Sequence, residues 1–307
     1  MPRSDERWDV IGVGANSVDV VCLLPGCPQP SGAFAKMRIR TRHTLCGGQT
    51  ATAVSTCASL GLRSKYVGVC GSDENGGRIR HALSCGRVDA TDLIVRDAAN
   101  QSAVILIDET TGERIVLWDR DDRLQLRDDE LPEAALAAAR IVHVDDVDED
   151  AAIRAAGIAR QAGADVSTDI DRVTPRTAEL IGLATHAMFA QHVPAQLTGI
   201  SDLEPSLRHL RRGYRGVLCV TLGDQGAVAL DGEVFHRQPA FHVHAVDTTG
   251  AGDVFRGGFI YALINGQPIE HALRTANAAA AVSCTRLGAL NGVPTREEIE
   301  ALMTTET

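Results

Sequence analysis

The sequence is poor in aromatic residues and has no long apolar run. Phe, Trp and Tyr together make up 4% of its 307 residues, whereas glycine occurs 29 times. Small residues of this kind suit the close packing of helices against a sheet. No apolar run approaches the roughly 20 residues that a membrane-spanning helix needs. The first nine residues are polar and lack the apolar core of a signal peptide, so the sequence predicts a cytoplasmic protein.

The sequence also has fewer basic than acidic residues, and its cysteines are not closely paired. The formal net charge of −10 disfavours a nucleic-acid backbone or an anionic membrane as the main partner, although local basic groups can still bind an anionic substrate. The eight cysteines are scattered, mostly among apolar neighbours, and form no Cys-x-x-Cys pair. We therefore expect reduced, mostly buried thiols without a zinc site.

Strand and helix patterns alternate in the second half of the chain. Short apolar runs at 141–144, 165–170, 187–190 and 217–221 are separated by helical stretches such as 148–161 and 203–212. Strands that alternate with helices of this length predict βαβ units. The fold class is therefore α/β, with a mostly parallel sheet covered by helices on both faces.

A small β-rich appendage is predicted beside this α/β body. Residues 102–107 and 114–118 have strand patterns, and turn-forming residues occupy 108–113 between them, which indicates a hairpin. No repeat, low-complexity tract or linker divides the chain. We therefore predict a single domain, residues 1–307, whose appendage is drawn from about 20–45 and 100–120.

A glycine-rich turn precedes an apolar helix near the C-terminus. Residues 241–246 have the pattern of a strand, and residues 254–263 that of a helix. Between them, Gly250 and Gly252 allow the backbone to approach an anion, which the free N–H groups of a helix start attract.

Two acids flank this turn. Asp253 stands at the mouth of the anion site, where it could take a proton from an attacking hydroxyl or simply cap the helix. Asp247 could bind a cation or close a turn. The spacing alone leaves these alternatives open.

Five features in order resemble one enzyme family. The sequence Asp-Thr-Thr-Gly-Ala-Gly-Asp at 247–253, followed by an apolar helix, resembles the second signature of the ribokinase, or PfkB, family of carbohydrate kinases. Gly47 and Gly48, with the small-residue helix after them, resemble the first signature. The other matches are the Thr-x-Gly-x-x-Gly turn at 221–226, Asn277 and the C-terminal loop at 288–294. Together they cover nearly the whole chain.

The resemblance implies an ATP-dependent sugar kinase with a ribokinase-like fold. It makes Asp253 the general base, and it makes the amides of Gly250, Ala251 and Gly252 an anion hole for the transferred phosphoryl group. It implies ATP and Mg²⁺ as cofactors. The residues that it assigns to ATP are Thr221, Gly223, Asp224, Gly226 and Asn277. A possible K⁺ site would use Asp247, Thr249, Ser283, Arg286 and Gly288.

The same resemblance assigns the sugar side of the site. Asp19 would accept hydrogen bonds from two sugar hydroxyls, although its position after a strand also suits a turn residue. Gly47 and Gly48 would bring the backbone to the sugar and act as the hinge of an appendage that closes as a lid. Pairing of two lids in a homodimer is left open.

Basic residues of the appendage are further candidates for sugar binding. Residues 34–44 alternate like a strand, which would place Lys36, Arg38 and Arg40 on one face. Arg120 follows the second strand of the hairpin. Lys36 and Arg120 either contact an acidic or heavily hydroxylated sugar or belong to a solvated edge.

Three positions depart from the family pattern. Thr52 stands where the first signature usually carries Asn, and it is the substrate-binding candidate at this position because a Thr hydroxyl can still donate and accept hydrogen bonds. The Asn-x-x-Glu element is missing from residues 190–195, as it is in ketohexokinase-like and sulfofructose-kinase-like members. Arg256 lies one turn into the catalytic helix, where it could reach phosphate or sugar, or extend to the surface.

Three functions remain. The favoured one is transfer of a phosphoryl group to a primary hydroxyl of a sugar, with a ketohexose of the fructose type preferred. A nucleoside kinase is the second, and the few aromatic residues in the N-terminal segments, such as Phe34 and Tyr66, offer little surface for stacking a base. The third is a non-catalytic regulator that binds nucleotide or sugar, which the intact Asp253 turn disfavours.

Overall fold

The strands of the protein form two sheets. The computed structural model describes residues 7–111 and 114–305. In chain order the strands are β1 (Val10–Val13), β2 (Ser17–Leu24), β3 (Thr41–Gly47), β4 (Ser64–Gly71), β5 (Leu93–Arg96), β6 (Ser102–Asp108), β7 (Arg114–Asp119), β8 (Ile141–Asp145), β9 (Asp165–Asp169), β10 (His186–Phe189), β11 (Val217–Thr221), β12 (Ala227–Asp231) and β13 (Val234–Gln238).

Helices alternate with these strands. They are α1 (Gln49–Ser59), α2 (Glu74–Cys85), α3 (Glu133–Ala137), α4 (Glu149–Gln161), α5 (Thr177–Leu183), α6 (Val193–Thr198), α7 (Leu203–Arg211), α8 (Ala251–Ile264), α9 (Ile269–Cys284), α10 (Ala289–Gly292) and α11 (Arg296–Thr305).

The large sheet has nine strands in the order β13-β12-β11-β10-β9-β8-β1-β4-β5. Seven neighbouring strands pair in parallel, namely β11, β10, β9, β8, β1, β4 and β5. β12 and β13 are added antiparallel at one edge. β1, β4 and β8 are buried along their whole length, as parallel strands covered on both faces must be. The predicted α/β class with a mostly parallel sheet is confirmed.

The two faces of the large sheet carry different helices. The largest apolar cluster joins one face to α4, α5, α6 and α7. On the other face, α8 and α9 pack over β11 and β12, and α1 packs beside α8. At the α1–α8 contact a Cβ placed on Gly257 would lie 2.5 Å from the Thr56 Cβ, so this glycine is what lets the two helices meet.

The small sheet has four strands in the order β3-β2-β6-β7. β2 pairs in parallel with β6, while the other two pairs are antiparallel. The predicted hairpin is confirmed in its strands β6 and β7. Two residues of its predicted turn, 112 and 113, lie outside the described residues. The small sheet corresponds to the appendage predicted from about 20–45 and 100–120.

The strand predicted at 34–44 is wrong in its first half. β3 begins at Thr41, which pairs with Leu23, and β2 ends one residue later at Leu24. The Arg40 N–H still donates to the Leu23 carbonyl at 2.9 Å, and β2 ends before it could pair with residues 34–39. Lys36, Arg38 and Arg40 lie in the exposed segment between β2 and β3, so the prediction that they share one face of a strand fails.

The strand predicted at 241–246 is also absent. Phe241 and Val243 pack into the apolar cluster of α9 and α11 rather than against a sheet. The chain is tied to the end of α9 instead, because the N–H groups of Val246 and Asp247 both donate to the Cys284 carbonyl. The alternating pattern therefore reflects one-sided packing of an extended segment on helices.

The structure also bears on the predictions made for the cysteines and for membrane-spanning helices. All eight cysteines lie within the described ranges and none forms a disulfide, and Cys85 is the exposed one among them. Within the described ranges, no helix has the length and apolar character that crossing a membrane requires.

Candidate active site

Carboxylates gather where β8 and β9 end at the carboxyl edge of the large sheet. Asp145 and Asp169 are the last residues of these strands and lie side by side in register. Asp146 and Asp171 follow them. Open parallel sheets bind ligands at this edge, because the loops that leave neighbouring strands meet there.

Asp145 joins three elements. One of its oxygens accepts hydrogen bonds from the Ala15 N–H and from the Thr50 hydroxyl, each at 2.7 Å, and the other accepts from the Val147 N–H at 3.1 Å. The side chain is fully buried. Burial raises the pKa of Asp145 to about 6, and the three hydrogen bonds oppose that rise because they favour the ionised form.

Asp146 and Asp148, which follow Asp145 in the chain, hold neighbouring loops in place. The N–H groups of Asp171 and Arg172 donate to Asp146 at 2.9 and 2.6 Å. Arg120 donates through Nη2 to both oxygens of Asp148, at 2.9 and 2.7 Å. These carboxylates therefore shape the edge around Asp145 and Asp169.

Asp247 anchors the glycine-rich turn. Its Oδ1 accepts from the Thr249 N–H and its Oδ2 from the Gly288 N–H, both at 2.9 Å, so one carboxylate joins the turn to the C-terminal loop. Gly250 precedes α8 with a φ of 77°, and a Cβ there would lie 2.4 Å from the Ala289 Cβ. Both the left-handed backbone and the close approach require glycine.

Asp253 is the third residue of α8 and lies in the first turn of that helix. Burial raises the pKa of Asp253 well above its ordinary range, and the negative charge of Asp169 adds to the rise. The Arg256 guanidinium, one turn further along α8, acts in the opposite direction. Asp253 is thus a carboxylate with a raised pKa in the first turn of α8, where the helix dipole favours negative charge.

Asp19 lies on β2 across from this turn. The Ser17 hydroxyl donates to Asp19 Oδ1 at 2.9 Å, and burial raises the pKa of the Asp19 carboxyl. A Cβ on Gly47 would lie 2.9 Å from Asp19 Oδ2 and 3.6 Å from the Ala289 Cβ. Ala289 therefore touches both Gly47 and Gly250, and it brings Asp19 and the turn of Asp253 to one cleft.

Gly48 and Thr52 lie on the first turns of α1. Gly48 has a φ of 103°, and a Cβ there would lie 2.3 Å from the Asn16 Cα, so the loop after β1 passes directly over it. Thr52 is fully buried, and its hydroxyl has no hydrogen-bond partner within the part of the chain that the structure describes.

The predicted nucleotide residues form a second group. Gly223 and Asp224 are exposed in a turn between β11 and β12. A Cβ on Gly226 would lie 2.1 Å from the Gln238 carbonyl oxygen. Asn277 donates through Nδ2 to the carbonyls of residues 238 and 239, each at 3.0 Å. Gly226 and Asn277 therefore hold the same segment, while Thr221 ends β11 beside them.

The residues assigned to K⁺ are brought together in part. Asp247 joins Thr249 to Gly288, and the Thr249 hydroxyl oxygen is buried without a partner among the described residues. The Ser283 hydroxyl donates to the Ala280 carbonyl at 2.8 Å, and the Arg286 side chain pairs with Glu298.

Lys36 and Arg120 stand apart from Asp19. Lys36 is exposed in the segment before β3, and Arg120 is engaged by Asp148. Neither makes a hydrogen bond to Asp19. At the position of the missing Asn-x-x-Glu element, Nε2 of His192 lies 2.9 Å from the carbonyl oxygen of Asp171, beside the acids at the sheet edge.

Two side-chain contacts of the site, Arg114 with Thr248 and Asp169 with Arg256, were not predicted from the sequence. Arg114, at the start of β7, donates to the Thr248 hydroxyl at 2.7 Å and so joins the small sheet to the glycine-rich turn. Asp169 pairs with Arg256 beneath Asp253 at 2.5 Å. The acid at the end of the run 165–170 is the signal that could have drawn attention to Asp169.

A comparison with protein families decides the identity. The model of the pfkB family carbohydrate kinases matches residues 13–296, which include Asp19, Gly47, Asp253 and Gly288. The chain belongs to this family. It is therefore a phosphotransferase with an alcohol acceptor.

Known proteins resemble this kinase over nearly their whole length. A nucleoside kinase of Methanothermobacter thermautotrophicus is 27% identical, covering 95% of this chain and 94% of its own. Fructokinase-1 of Oryza sativa subsp. japonica is 28% identical over 84% of this chain and 88% of its own. The crystal structure of a candidate ribokinase from Agrobacterium tumefaciens superposes with a TM-score of 0.89 at 30% identity, covering 97% and 98% of the two chains.

The buried Asp145 makes the stability of the kinase depend on pH. In the unfolded chain this carboxyl has a pKa near its ordinary 3.8, and in the folded kinase about 6. A raised acid pKa stabilises the fold below the unfolded value and loses that contribution as the pH rises through the folded value. From about pH 4 to about pH 7 the wild type should lose roughly 3 kcal/mol relative to Asp145→Asn.

Denaturant unfolding of both proteins at a series of pH values measures this difference. Asp165→Asn, which removes an exposed carboxylate at the other end of β9, is the matched control and should follow the wild type. Parallel pH profiles for the wild type and Asp145→Asn would contradict the assignment.

Proposed function

We propose that this kinase transfers the γ-phosphoryl group of ATP to a primary hydroxyl of a sugar, within one domain that uses the small sheet as a lid. The observation that carries the proposal is Asp253, a carboxylate of raised pKa at the glycine-lined start of α8. ATP enters as its magnesium complex, in which the metal neutralises phosphate charge.

In the proposed reaction Asp253 takes the proton of the acceptor hydroxyl. The freed oxygen forms a bond to the γ-phosphorus while the bond from that phosphorus to the β–γ bridging oxygen breaks, and ADP leaves. A base works best when its pKa lies near the working pH, and the burial that raises the pKa of Asp253 moves it in that direction.

The amides of Gly250, Ala251 and Gly252 are the proposed anion hole. They lie at the N-terminal end of α8, where the helix dipole favours negative charge, and the Ala251 N–H would exchange its long hydrogen bond to the Thr248 carbonyl, at 3.3 Å, for one to the anion. Ala289 packs against Gly250, and Asp247 ties the turn to the Gly288 loop, so these donors are held in place before any ligand binds. Preorganised donors stabilise charge without reorganising during the reaction.

Asp19 is the proposed contact to the sugar. Its Oδ1 accepts a hydrogen bond from the Ser17 hydroxyl and its Oδ2 faces the backbone of Gly47, so the carboxylate is held in one orientation beside Gly47. Lys36 and Arg120 contribute less in this proposal, because one is exposed and the other is held by Asp148. A ketohexose of the fructose type stays the preferred acceptor, and a nucleoside is the alternative.

The nucleotide is proposed to lie against Thr221, Gly223, Asp224, Gly226 and Asn277. Gly226 and Asn277 fix the segment at 238–240 that would form one wall of this site. A K⁺ ion between the Asp247 and Gly288 loops stays a prediction from the family. The buried Thr249 hydroxyl oxygen, which has no hydrogen-bond partner in the part of the chain that the structure describes, fits such an ion, which would balance charge beside the anion hole.

Replacing the proposed base should abolish most turnover. Asp253→Asn should lower kcat by about 100-fold or more, because general-base catalysis contributes at least that factor, and it should leave the Kd for ATP nearly unchanged. ADP release over a panel of ketoses, aldoses, sugar acids and nucleosides measures kcat, and calorimetry measures ATP binding.

Asp165→Asn is the control, since it makes the same chemical change at an exposed carboxylate, at the start of β9. Wild-type turnover by Asp253→Asn on the best acceptor would remove Asp253 as the base. If the wild type binds ATP but phosphorylates no acceptor in the panel, the non-catalytic alternative is favoured.

The Arg114–Thr248 contact supports the lid. Arg114 belongs to the small sheet, and Thr248 belongs to the turn of the proposed anion hole. A hydrogen bond between them at 2.7 Å holds the sheet over the cleft, which would keep water from competing as phosphoryl acceptor.

Breaking this contact should loosen the coupling between ATP use and sugar phosphorylation. Arg114→Ala and Thr248→Val should each lower kcat/KM for the acceptor by roughly 10-fold, the worth of one hydrogen bond to a charged group, and raise the ratio of ADP to sugar phosphate. The double variant should lose little more than either single one. Arg42→Ala on β3 is the control, and additive losses would contradict a direct contact.

The edge strand β7 is the proposed contact with a second copy. Its consecutive residues Ile115, Val116, Leu117 and Trp118 are exposed, the last by 65%. An apolar edge strand of this kind pairs readily with another chain. We therefore propose a homodimer through the small sheet.

A charge on this edge should separate the two copies. Trp118→Glu should sediment as a monomer where the wild type sediments as a dimer, because a charge in a buried apolar contact is costly. Val95→Glu, on the edge strand β5 of the large sheet, is the matched control and should stay dimeric. A monomeric wild type at micromolar concentration would contradict the proposal.

A further inference from the structure

Arg256 lies directly beneath the proposed catalytic turn. It is three residues after Asp253 on α8, and helical side chains extend back toward the N-terminus of their helix. A Cβ placed on Gly252 would lie 2.9 Å from Arg256 Nη1, so the guanidinium passes under the backbone of the turn. The Arg256 side chain is 5% exposed. It therefore does not extend to the surface, as a snorkelling arginine would.

The partner of Arg256 is Asp169 on the large sheet. Arg256 Nη2 lies 2.5 Å from Asp169 Oδ1, and the Asp169 side chain is 2% exposed. Asp169 is the last residue of β9 and lies in register with Asp145 on β8. The ion pair therefore fixes the first turn of α8 to the carboxyl edge of the sheet.

Fold stability does not account for this pair. Removing two charges from water costs several kcal/mol per ion, and apolar residues of similar volume are often as stable in such positions. Arg256 Nε and Asp169 Oδ2 are buried without hydrogen-bond partners among the described residues, so the pair is not fully satisfied. A costly, incompletely bonded pair beside a reactive carboxylate indicates a role in the site.

The charges around Asp253 indicate what that role is. Asp145 from β8, Asp169 from β9 and Asp171 after β9 act on Asp253 with negative charge, and Arg256 acts with positive charge. Arg256 also faces two titratable groups of the sheet, and burial keeps both neutral because it lowers the pKa of His143 on β8 to about 3 and raises the pKa of Cys219 on β11 to about 12. The helices packed on α8 bring no buried charge to Asp253. α1 and α10 have no charged residue, Glu270 and His271 of α9 are exposed, and Arg274 of α9 donates to the Met303 carbonyl.

We propose that Arg256 and Asp169 form a positioning pair for Asp253, which holds the first turn of α8 against the sheet edge and balances the negative charge that surrounds the base. Without Arg256, Asp253 would face three carboxylates and the incoming phosphates together. Without Asp169, the guanidinium would act on Asp253 alone. The pair thus sets the ionisation of the base through two opposed charges.

This inference rests on the proposed role of Asp253, and opposite charge changes test it. In Arg256→Met the pKa of Asp253 should rise by about one unit, and in the isosteric Asp169→Asn it should fall by a similar amount. The pKa is read from the acid limb of the pH profile of kcat/KM. It is also read from the carboxyl ¹³C shift of labelled aspartate, assigned by its loss in Asp253→Asn.

The control is Arg154→Gln, which removes one guanidinium from an exposed pair with Glu133 and should leave both readings unchanged. If Arg256→Met does not fold, the downward shift in Asp169→Asn decides alone. A merely structural pair would lower activity without moving the pKa, and shifts in the same direction for both variants would also overturn the proposal. Because the ¹³C titration needs no turnover, it separates this result from failure of the proposed kinase reaction.

Discussion

The burial of carboxylates at one edge of a parallel sheet is the constraint on which the site depends. An ionised acid taken out of water needs hydrogen-bond donors or a cation. Asp145 finds them in Ala15, Thr50 and Val147, and Asp247 finds them in Thr249 and Gly288. Each carboxylate therefore binds loops that are far apart in sequence, and the loops that they bind form the cleft.

Small residues, glycine and alanine, bring the walls of the cleft close together. Ala289 packs against Gly47 on one side and Gly250 on the other, so the small sheet, α8 and the C-terminal loop meet around one methyl group. A Cβ on Gly250 would lie 2.4 Å from the Ala289 Cβ and one on Gly47 would lie 2.9 Å from Asp19 Oδ2, so a larger residue at either glycine would displace a wall of the cleft. The low aromatic content and the 29 glycines of the chain are consistent with a cleft built from close backbone approaches.

Local signals in the sequence predicted much of the fold and part of the site. Strand–helix alternation predicted the parallel sheet, and the glycine-rich turn before an apolar run predicted the start of α8. The strand at 241–246 failed because its alternation reflects packing on α9. Contacts such as Arg114 with Thr248 and Arg256 with Asp169 join residues 134 and 87 positions apart, and no local pattern encodes such pairs. The same limit explains why the burial of Thr52 and the engagement of Arg120 by Asp148 were not foreseen.

The central claim is that the start of α8 binds the phosphoryl group that Asp253 helps to transfer. A crystal structure with magnesium, a non-hydrolysable ATP analogue and the best acceptor tests it most directly. The γ-phosphate should lie about 3 Å from amide nitrogens of residues 250–252, with the Asp253 carboxylate in hydrogen-bond distance of the acceptor hydroxyl. A γ-phosphate bound elsewhere, with Asp253 out of reach of the acceptor, would contradict it.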